Sequence, residues 1–231
     1  MLGSHNKTIA MTVKKYLHVL LPVAAFSLAS VPCMSLAEVR TDGSLGAEVT
    51  LQGDFTIAPE LGQQQGGNLF HSFSQFDVNA DETATFTGGV DNIFGRVTAG
   101  GASQIDGSIV VDSDAKLWLI NPNGMVFGDD SQVDVGGGFV ALAGDSVRFS
   151  DGNQFSARLG SASTLTAAGP AAYGLVSASA PIIFNGELLG GDSADIALLG
   201  SSLNLNSADI SATDGRVTLS FNGEIYNFLE L

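Results

Sequence analysis

Residues 182–199 read IIFNGELLGGDSADIALL, and residues 203–220 read LNLNSADISATDGRVTLS. Apolar positions of the first stretch recur 21 residues later in the second, in the pairs Ile182/Leu203, Phe184/Leu205, Leu189/Ile210, Ile196/Val217 and Leu198/Leu219. Successive coils of a β-helix produce this pattern, because each coil places its inward side chains directly above those of the coil below. The alternative all-β fold, a flat two-sheet sandwich, requires no fixed repeat. We therefore expect a β-helix in which these pairs stack in columns.

The rest of the chain also reads as short strands. Apolar runs alternate with clusters of Gly, Asn, Asp and Ser, for example around 108–111, 116–120 and 139–143. No window after residue 37 shows convincing helical periodicity, so the pattern predicts an all-β protein. At roughly 20 residues per coil, the chain after residue 37 would hold about eight or nine coils of one elongated domain.

The N-terminus has the features of an export signal. Two lysines at 14–15 precede the apolar residues 17–31, a run too short and too rich in Ala and Ser to span a membrane comfortably. Small residues then lead up to Ala37, as a signal peptidase requires. We therefore expect residues 1–37 to be a signal peptide that is cleaved between Ala37 and Glu38.

Removal of this signal leaves six basic against 24 acidic residues, a net charge of −18. Such a chain repels nucleic acid and anionic membranes, so we expect neither as a partner and no membrane insertion after processing. Cys33, the sole cysteine, lies in the signal, which excludes disulfides and cysteine-based sites from the remainder. His71 is the one histidine left, and alternation permits it to face away from its apolar neighbours as a structural or surface residue. The sequence therefore predicts no catalytic residue, cofactor or bound metal.

A second informative stretch is 117–128, LWLINPNGMVFG, in which two apolar strands flank the turn Asn121-Pro122-Asn123-Gly124. Pro122 fixes its own φ at about −65°. Asn123 and Gly124 form the dipeptide that best tolerates positive φ, and the Asn121 side chain can bond to the backbone two residues on. We expect Gly124 at positive φ and Asn121 bonded to buried backbone groups.

Several further blocks surround this turn, namely 59–63 (PELGQ), 67–76 (GNLFHSFSQF), 92–98 (NIFGRVT), 105–107 (IDG) and 133–142 (VDVGGGFVAL). In order and spacing, the blocks and the turn resemble the secretion domain at the N-terminus of filamentous haemagglutinin-type exoproteins. This is the two-partner secretion family, whose domain is also called the haemagglutination activity domain. The resemblance runs from about Thr41 to Leu219. Family members often carry a second turn, Asn-Pro-Asn-Leu, of which Asn68-Leu69 remains here.

The resemblance implies both the architecture and the role. It implies a right-handed parallel β-helix with short extra-helical strands or a cap. It also implies secretion through the periplasm of a Gram-negative bacterium, with recognition by the periplasmic domains of a partner outer-membrane transporter. The domain would nucleate the β-helix of a large adhesin-like exoprotein at the cell surface. Contact with host or bacterial surfaces would belong to a passenger that is missing from this sequence.

The family motif supplies the candidate recognition residues, which are Asn68, Leu69, Asn121, Pro122, Asn123 and Gly124. The domain bounds follow from the repeat. Continuing the 21-residue period would bury Glu224 in the column of Ile182 and Leu203, which is costly for a charge. We therefore expect a β-helical secretion domain over 38–219 and an atypical tail over 220–231, at a truncation or gene junction.

A secreted β-helical carbohydrate-active enzyme, similar to polysaccharide lyases and hydrolases, is the alternative function, because fold alone does not decide function. Such an enzyme needs clustered acids beside a Lys or Arg in one groove. The basic residues after the signal are scattered, at Arg40, Arg96, Lys116, Arg148, Arg158 and Arg216. The acidic stretches at 112–114 and 129–130 lack the glycine-rich repeat of calcium-binding β-rolls and are interpreted as solvated turns. The sequence therefore favours a non-enzymatic binding module.

Overall fold

The computed structural model describes residues 38–174, 180–192, 194–212 and 216–221. The predicted signal peptide and residues 222–231 of the predicted tail lie outside this part of the chain. Regular structure in the described residues consists of 22 strands and a short 3-10 helix, Pro59–Leu61. No helix among them is long and apolar enough to cross a membrane. The prediction of an all-β protein is confirmed.

The strands are short, because turn-forming residues interrupt the apolar runs. In chain order they are β1 (Val39–Thr41), β2 (Thr50–Leu51), β3 (Phe55–Ile57), β4 (Gln63–Gln65), β5 (Asn68–Phe76), β6 (Thr83–Phe86), β7 (Asn92–Val97), β8 (Ser103–Ile105), β9 (Ser108–Val111), β10 (Lys116–Ile120), β11 (Met125–Phe127), β12 (Gln132–Val135), β13 (Gly138–Leu142), β14 (Ser146–Phe149), β15 (Gln154–Ser156), β16 (Pro170–Gly174), β17 (Ile182–Phe184), β18 (Glu187–Gly190), β19 (Asp195–Gly200), β20 (Leu203–Asn204), β21 (Asp209–Ala212) and β22 (Arg216–Phe221).

Three ladders of parallel strands build the molecule. Sheet 1 contains β5, β7, β10, β13, β19 and β22, and sheet 2 contains β3, β6, β9, β12, β18 and β21. Sheet 3 contains β8, β11, β17 and β20. A complete coil of the chain contributes one strand to each sheet, as β10, β11 and β12 do. The predicted parallel β-helix is therefore confirmed.

Sheets 1 and 2 each stack six of the described strands, fewer than the eight or nine coils expected from the length. Three segments leave the helical path. Strand β4 pairs antiparallel with β5. Strands β1 and β2 lie antiparallel at the N-terminal end of sheet 1. Strands β14, β15 and β16 form a separate antiparallel sheet, here called the side sheet. The estimate from length was wrong because it assigned every residue to a coil.

Strand pairing confirms the 21-residue repeat in sheets 1 and 3. Three of the predicted pairs face each other across the ladder: Ile182/Leu203, Ile196/Val217 and Leu198/Leu219. Strand β20 ends at Asn204, so Leu205 lies just beyond its ladder, although it packs against the same apolar core as Phe184.

One predicted pair, Leu189/Ile210, is wrong. Ile210 pairs with Leu188, and Leu189 pairs with Ser211. The turn between sheets 3 and 2 has one residue more in the later coil, so the offset in sheet 2 is 22 instead of 21. Leu188 is consequently buried, while Leu189 is 42% exposed, because successive residues of a strand point to opposite faces.

Columns of apolar side chains fill the interior. One inward column of sheet 1 consists of Leu69, Ile93, Leu117, Phe139 and Ile196, and none of them is more than 1% exposed. Complete burial of one such side chain contributes about 1.5–3 kcal/mol. Each coil therefore gains stability only when its neighbour is in place, which makes the stack cooperative.

The outward face of sheet 1 is apolar as well. Phe70, Phe94 and Trp118 form a stacked outward column, with ring centroids 5.1 and 5.4 Å apart. The side sheet covers this column, and its Phe149 and Phe155 meet the Phe70 ring edge-on. The result is a second apolar cluster outside the helix. The expected extra-helical strands are therefore confirmed, and they shield one face of the β-helix from water.

Candidate functional site

The Asn-Pro-Asn-Gly turn directly follows β10 and is closed by Asn121, which is 1% exposed. The Asn121 backbone oxygen accepts a hydrogen bond from Gly124 N at 3.0 Å, and its side-chain oxygen accepts one from Asn123 N at 2.9 Å. Its side-chain nitrogen donates to Gly101 O at 3.1 Å and to Ser103 Oγ at 3.0 Å. Asn121 therefore both builds the turn and ties it to the preceding coil.

Gly124 has φ +94°, in the region that favours glycine. A Cβ at this position would lie 2.6 Å from the backbone oxygen of Pro181 and 3.1 Å from Ala180 Cβ in the next coil. The Gly124 oxygen accepts a bond from Ser103 N at 3.1 Å, and Met125 N donates to Pro181 O at 3.3 Å. The turn is thus held between two coils, and both the backbone conformation and the close approach require glycine.

The outer half of the turn faces solvent. Asn123 is exposed and Pro122 is half-buried. Asn123 Nδ2 donates a long hydrogen bond of 3.4 Å to Gly100 O. Among the four turn residues, Asn123 therefore presents the side chain that a partner can contact without disturbing the turn.

Asn68 and Leu69, the remnant of the second family turn, begin β5. Leu69 is fully buried in the core, and Asn68 is 2% exposed. Asn68 Nδ2 donates to Thr166 O at 2.9 Å and to Ala168 O at 2.8 Å, while its Oδ1 accepts from Asn92 Nδ2 at 3.0 Å. Asn68 therefore anchors the segment before β16 to the β-helix.

The two motifs do not form one site. Asn68 aligns across the ladder with Asn92 and Lys116, at the starting ends of their strands. Asn121 instead follows the last residue of β10, five positions beyond Lys116. At about 3.3 Å per residue, the motifs are separated by roughly 16 Å along the strand direction. They lie at opposite ends of the strands of sheet 1.

A cleft of about 570 Å³ opens beside the exposed half of the turn. Its lining includes Val97 and Thr98 from the end of β7, Pro122 and Asn123 from the turn, and residues 157–161 from the loop after β15. Sequence reasoning missed this loop. The sequence feature that could have revealed it is an isolated leucine at position 159, in a stretch that is otherwise small or polar. This side chain is 61% exposed.

A second cleft, of about 710 Å³, lies at the corner between sheets 3 and 2. Its acidic lining residues are Asp81, Glu82, Asp106, Asp129 and Asp130. The Glu82 carboxylate accepts hydrogen bonds from Gly53 N at 2.9 Å and Asn79 N at 3.0 Å, which gives it a structural role. Among the described residues, no group of three or more His, Cys, Asp or Glu side chains is arranged to hold a metal ion.

Most of the basic residues make structural contacts at separate places in the fold. Three form ion pairs: Arg40 with Glu48, Lys116 with Asp195, and Arg158 with Asp145. Arg96 is 5% exposed between sheet 1 and the side sheet, and its guanidinium lies 4.6 Å from the centre of the Phe155 ring. Arg148 is exposed on β14. The acid-and-base groove that the enzyme alternative needs is not assembled by these residues.

His71 points into the β-helix and not away from its apolar neighbours. It is fully buried, with its ring 6.1 Å from Phe73 and 6.0 Å from Phe86 between centroids. Neither imidazole nitrogen has a hydrogen-bond partner in the described part of the chain. Burial lowers the pKa of His71 to about 4, because the interior disfavours the charged imidazolium. Gly62 makes room for the ring, because a Cβ there would lie 2.7 Å from Nδ1.

The predicted cleavage site lies at the edge of the described residues. Ala37 falls outside them, and Glu38 is the first residue within. The Glu38 backbone oxygen accepts a hydrogen bond from Asp77 N at 3.1 Å, so this residue is already attached to the fold. Cleavage between Ala37 and Glu38 stays a prediction.

Comparison with known proteins places this architecture in a family. Residues 37–224 match the TPS secretion domain. Over 161 residues the chain is 28% identical to the heme/hemopexin-binding protein of Haemophilus influenzae (strain ATCC 51907 / DSM 11121 / KW20 / Rd), covering 66% of this chain and 16% of that protein. TPS exoproteins are secreted by Gram-negative bacteria by way of the periplasm. The chain belongs to the TPS, or two-partner secretion, domain family and is the secretion domain of an exoprotein of that kind.

Proposed function

We propose that this chain directs the export of a larger adhesin-like exoprotein and has no catalytic activity of its own. Its signal peptide, residues 1–37, is removed between Ala37 and Glu38. Soluble periplasmic domains of a partner outer-membrane transporter then recognise the domain spanning 38–219 and carry it to the cell surface. The observation that carries this proposal is the family match over 37–224.

We place the recognition surface at the exposed half of the Asn-Pro-Asn-Gly turn. Asn121 and Gly124 are buried and act by shaping the turn, whereas Asn123 and Pro122 are accessible. Asn68 and Leu69 act indirectly, because Asn68 holds the segment at Thr166 that precedes the side sheet's last strand. The family motif therefore combines one accessible contact surface, at Pro122 and Asn123, with buried residues that fix the shape of the turn and its surroundings.

The domain also nucleates β-helix folding outside the cell. At the N-terminal end, antiparallel β1 and β2 cover sheet 1. At the other end of the described stack, the inward position of Val217 is 43% exposed, whereas its partner Ile196 one coil earlier is 1% exposed. A further coil stacked there would bury this apolar edge, so each added coil lowers the free energy and pulls more chain outward.

Structural roles of the ionisable residues support the non-enzymatic part of the proposal. Lys116 and Arg158 are paired with carboxylates, and Arg96 is packed between two sheets. His71 is enclosed in the core. The relative's name describes binding of heme or hemopexin, but the chain spans 16% of that protein, and we assign the present domain to export only.

A binding experiment tests the recognition step. The mature chain, starting at Glu38, is titrated into the purified periplasmic domains of its partner transporter, with the periplasmic domain of an unrelated outer-membrane protein as control. We expect saturable binding to the partner domains and none to the control. Equal binding to both, or to neither, contradicts recognition by the transporter. Intact-mass analysis of the same exported protein checks that Glu38 is its first residue.

A further inference from the structure

Leu159 is held outward at the tip of a preformed turn. Ser161 N donates to Arg158 O at 3.1 Å, which closes the turn, and Gly160 has φ +91° at its third position, as a type II turn requires. Arg158 N also donates to Ser156 Oγ at 3.1 Å. With 61% exposure, Leu159 is the most exposed large apolar side chain among the described residues. An ordered apolar tip of this kind contributes nothing to the core.

The Leu159 tip forms one wall of the cleft described above, and the Asn-Pro-Asn-Gly turn forms another. Its volume of about 570 Å³ lies within the about 300–1,000 Å³ of ordinary ligand clefts. Pro122 and Leu159 contribute apolar surface and Asn123 contributes an exposed amide, whereas the Val97 side chain is 4% exposed and packs into the core of the β-helix. Two apolar side chains in a largely polar cleft, beside an amide that can both donate and accept, suit an extended peptide with one apolar side chain.

The charge of the lining narrows the choice of peptide. None of the residues that line the cleft is acidic, although the chain contains 24 acidic residues. Arg158 is the charged member of the lining, and its side chain is 59% exposed while it pairs with Asp145. A basic peptide would be attracted to acidic surface elsewhere on the chain and not to this cleft in particular. An acidic peptide is repelled less here than elsewhere, and a neutral peptide is not repelled at all.

We infer that this cleft binds an extended, neutral or acidic peptide segment from the periplasmic domain of the partner transporter. An apolar side chain of that segment seats between Leu159 and Pro122, and its backbone bonds to the Asn123 amide. The inference rests on the proposed function and gives it a contact surface, made jointly by the family turn and the side-sheet loop.

The test compares two leucines in the mature chain. Leu159→Asp places a charge in the cleft, and Leu189→Asp places the same charge on the outer face of sheet 2, at a residue that is 42% exposed. Affinity for the purified periplasmic domains of the partner transporter is measured by calorimetry. We expect Leu159→Asp to weaken binding about tenfold or more and Leu189→Asp to change it less than about twofold. Thermal melts verify that both variants remain folded.

The outcomes separate this inference from the proposed function. If the unsubstituted chain binds and Leu159→Asp binds equally well, the cleft is not the contact surface, while recognition by the transporter stands. Equal weakening by both substitutions also overturns the inference, because the effect is then one of general surface charge. Self-association of the chain that is lost in Leu159→Asp assigns the cleft to a second copy and overturns it as well. A chain that does not bind at all contradicts both proposals.

Discussion

Arg96 Nη1 donates a hydrogen bond of 2.6 Å to the backbone oxygen of Ser156, which lies 60 residues further along the chain. The bond joins sheet 1 to the side sheet. The same guanidinium donates from Nε to Ser72 Oγ at 2.8 Å and from Nη2 to Ser44 Oγ at 3.1 Å. One buried side chain therefore connects two coils, the side sheet and the N-terminal segment, because the donors of an arginine point in fixed directions.

Loss of this connection should destabilise the fold. Arg96→Met leaves the Ser156 oxygen and the neighbouring hydroxyls without their buried donor, so we expect the free energy of unfolding to fall by about 3 kcal/mol. Arg148→Met, at an exposed position of the side sheet, is the matched control and should change it by less than about 0.5 kcal/mol. Urea unfolding followed by Trp118 fluorescence measures both. Equal losses for the two variants would show that the Arg96 contacts are not stabilising.

Substitutions at two glycines distinguish the energetic cost of backbone strain from that of close packing. Gly124 and Gly152 have φ +94° and φ +84°, but a Cβ meets Pro181 O only at the first, since nothing lies within 4 Å of the second. We expect Gly152→Ala to cost about 1 kcal/mol of unfolding free energy from strain alone, and Gly124→Ala about 3 kcal/mol from strain plus displacement of the next coil. Thermal and urea unfolding provide the values. Similar costs would mean that the neighbouring coil moves aside easily.

Burial of His71 predicts a specific pH dependence. In the folded chain its pKa is lowered from 6.5 to about 4, because the interior disfavours the imidazolium. Between pH 4 and 6.5 the unfolded chain binds a proton at this histidine that the folded chain does not bind. The contribution of His71 to the free energy of unfolding is therefore fully present above about pH 6.5 and is lost as the pH is lowered towards 4. The loss attributable to His71 is about 3 kcal/mol.

The variant His71→Leu isolates this contribution, because a leucine of similar size cannot take up a proton. Unfolding by urea at several pH values from 4 to 7.5 should give a smaller loss of stability at low pH for His71→Leu than for the natural chain. The carboxylates titrate in both and cancel in the difference. If the free energy of unfolding falls equally with pH in both chains, the prediction is wrong, and the imidazole is in contact with water or with a proton acceptor.

The two asparagines of the family turn should respond differently to truncation. Asn121→Ala removes buried bonds to Gly101, Ser103 and the turn itself, so we expect a loss of about 2 kcal/mol in unfolding free energy, with export falling in proportion. Asn123→Ala removes an exposed amide and should leave stability within about 0.5 kcal/mol while reducing export. Paired melts and secretion assays distinguish the two effects. Normal export of Asn123→Ala would show that the turn has a structural role only and that the Asn123 side chain is not needed for recognition.

The sequence is sufficient to predict the β-helix and much of its register, because identical environments recur wherever coils stack. The 21-residue offset of Ile182 and Leu203 is preserved in the ladder. It fails at Leu189, because one additional residue in a turn shifts sheet 2 by one position and reverses which leucine faces the core. Alternation within a two-leucine run does not reveal that shift, since both residues are equally apolar.

The side sheet could not be predicted in the same way. Its position depends on contacts across long stretches of chain, such as Asn68 with Thr166 and Arg96 with Ser156, and no local spacing encodes them. The turn at Asn121 was predictable because it depends on the chemistry of four consecutive residues. The position of Leu159 beside this turn was not predictable, because it depends on where the side sheet docks. The cleft between them exists only after the side sheet has docked on sheet 1.

Export with and without the transporter tests the central claim most directly. The full chain is produced in one Gram-negative strain that carries the partner transporter and in an otherwise identical strain that lacks it, and the amount of chain in the medium, on the cell surface and in the periplasm is measured. We predict that the chain reaches the medium or the surface only when the transporter is present, and otherwise accumulates in the periplasm. Equal amounts outside the two strains, or retention in the periplasm of both, would contradict a secretion domain that acts through a partner transporter.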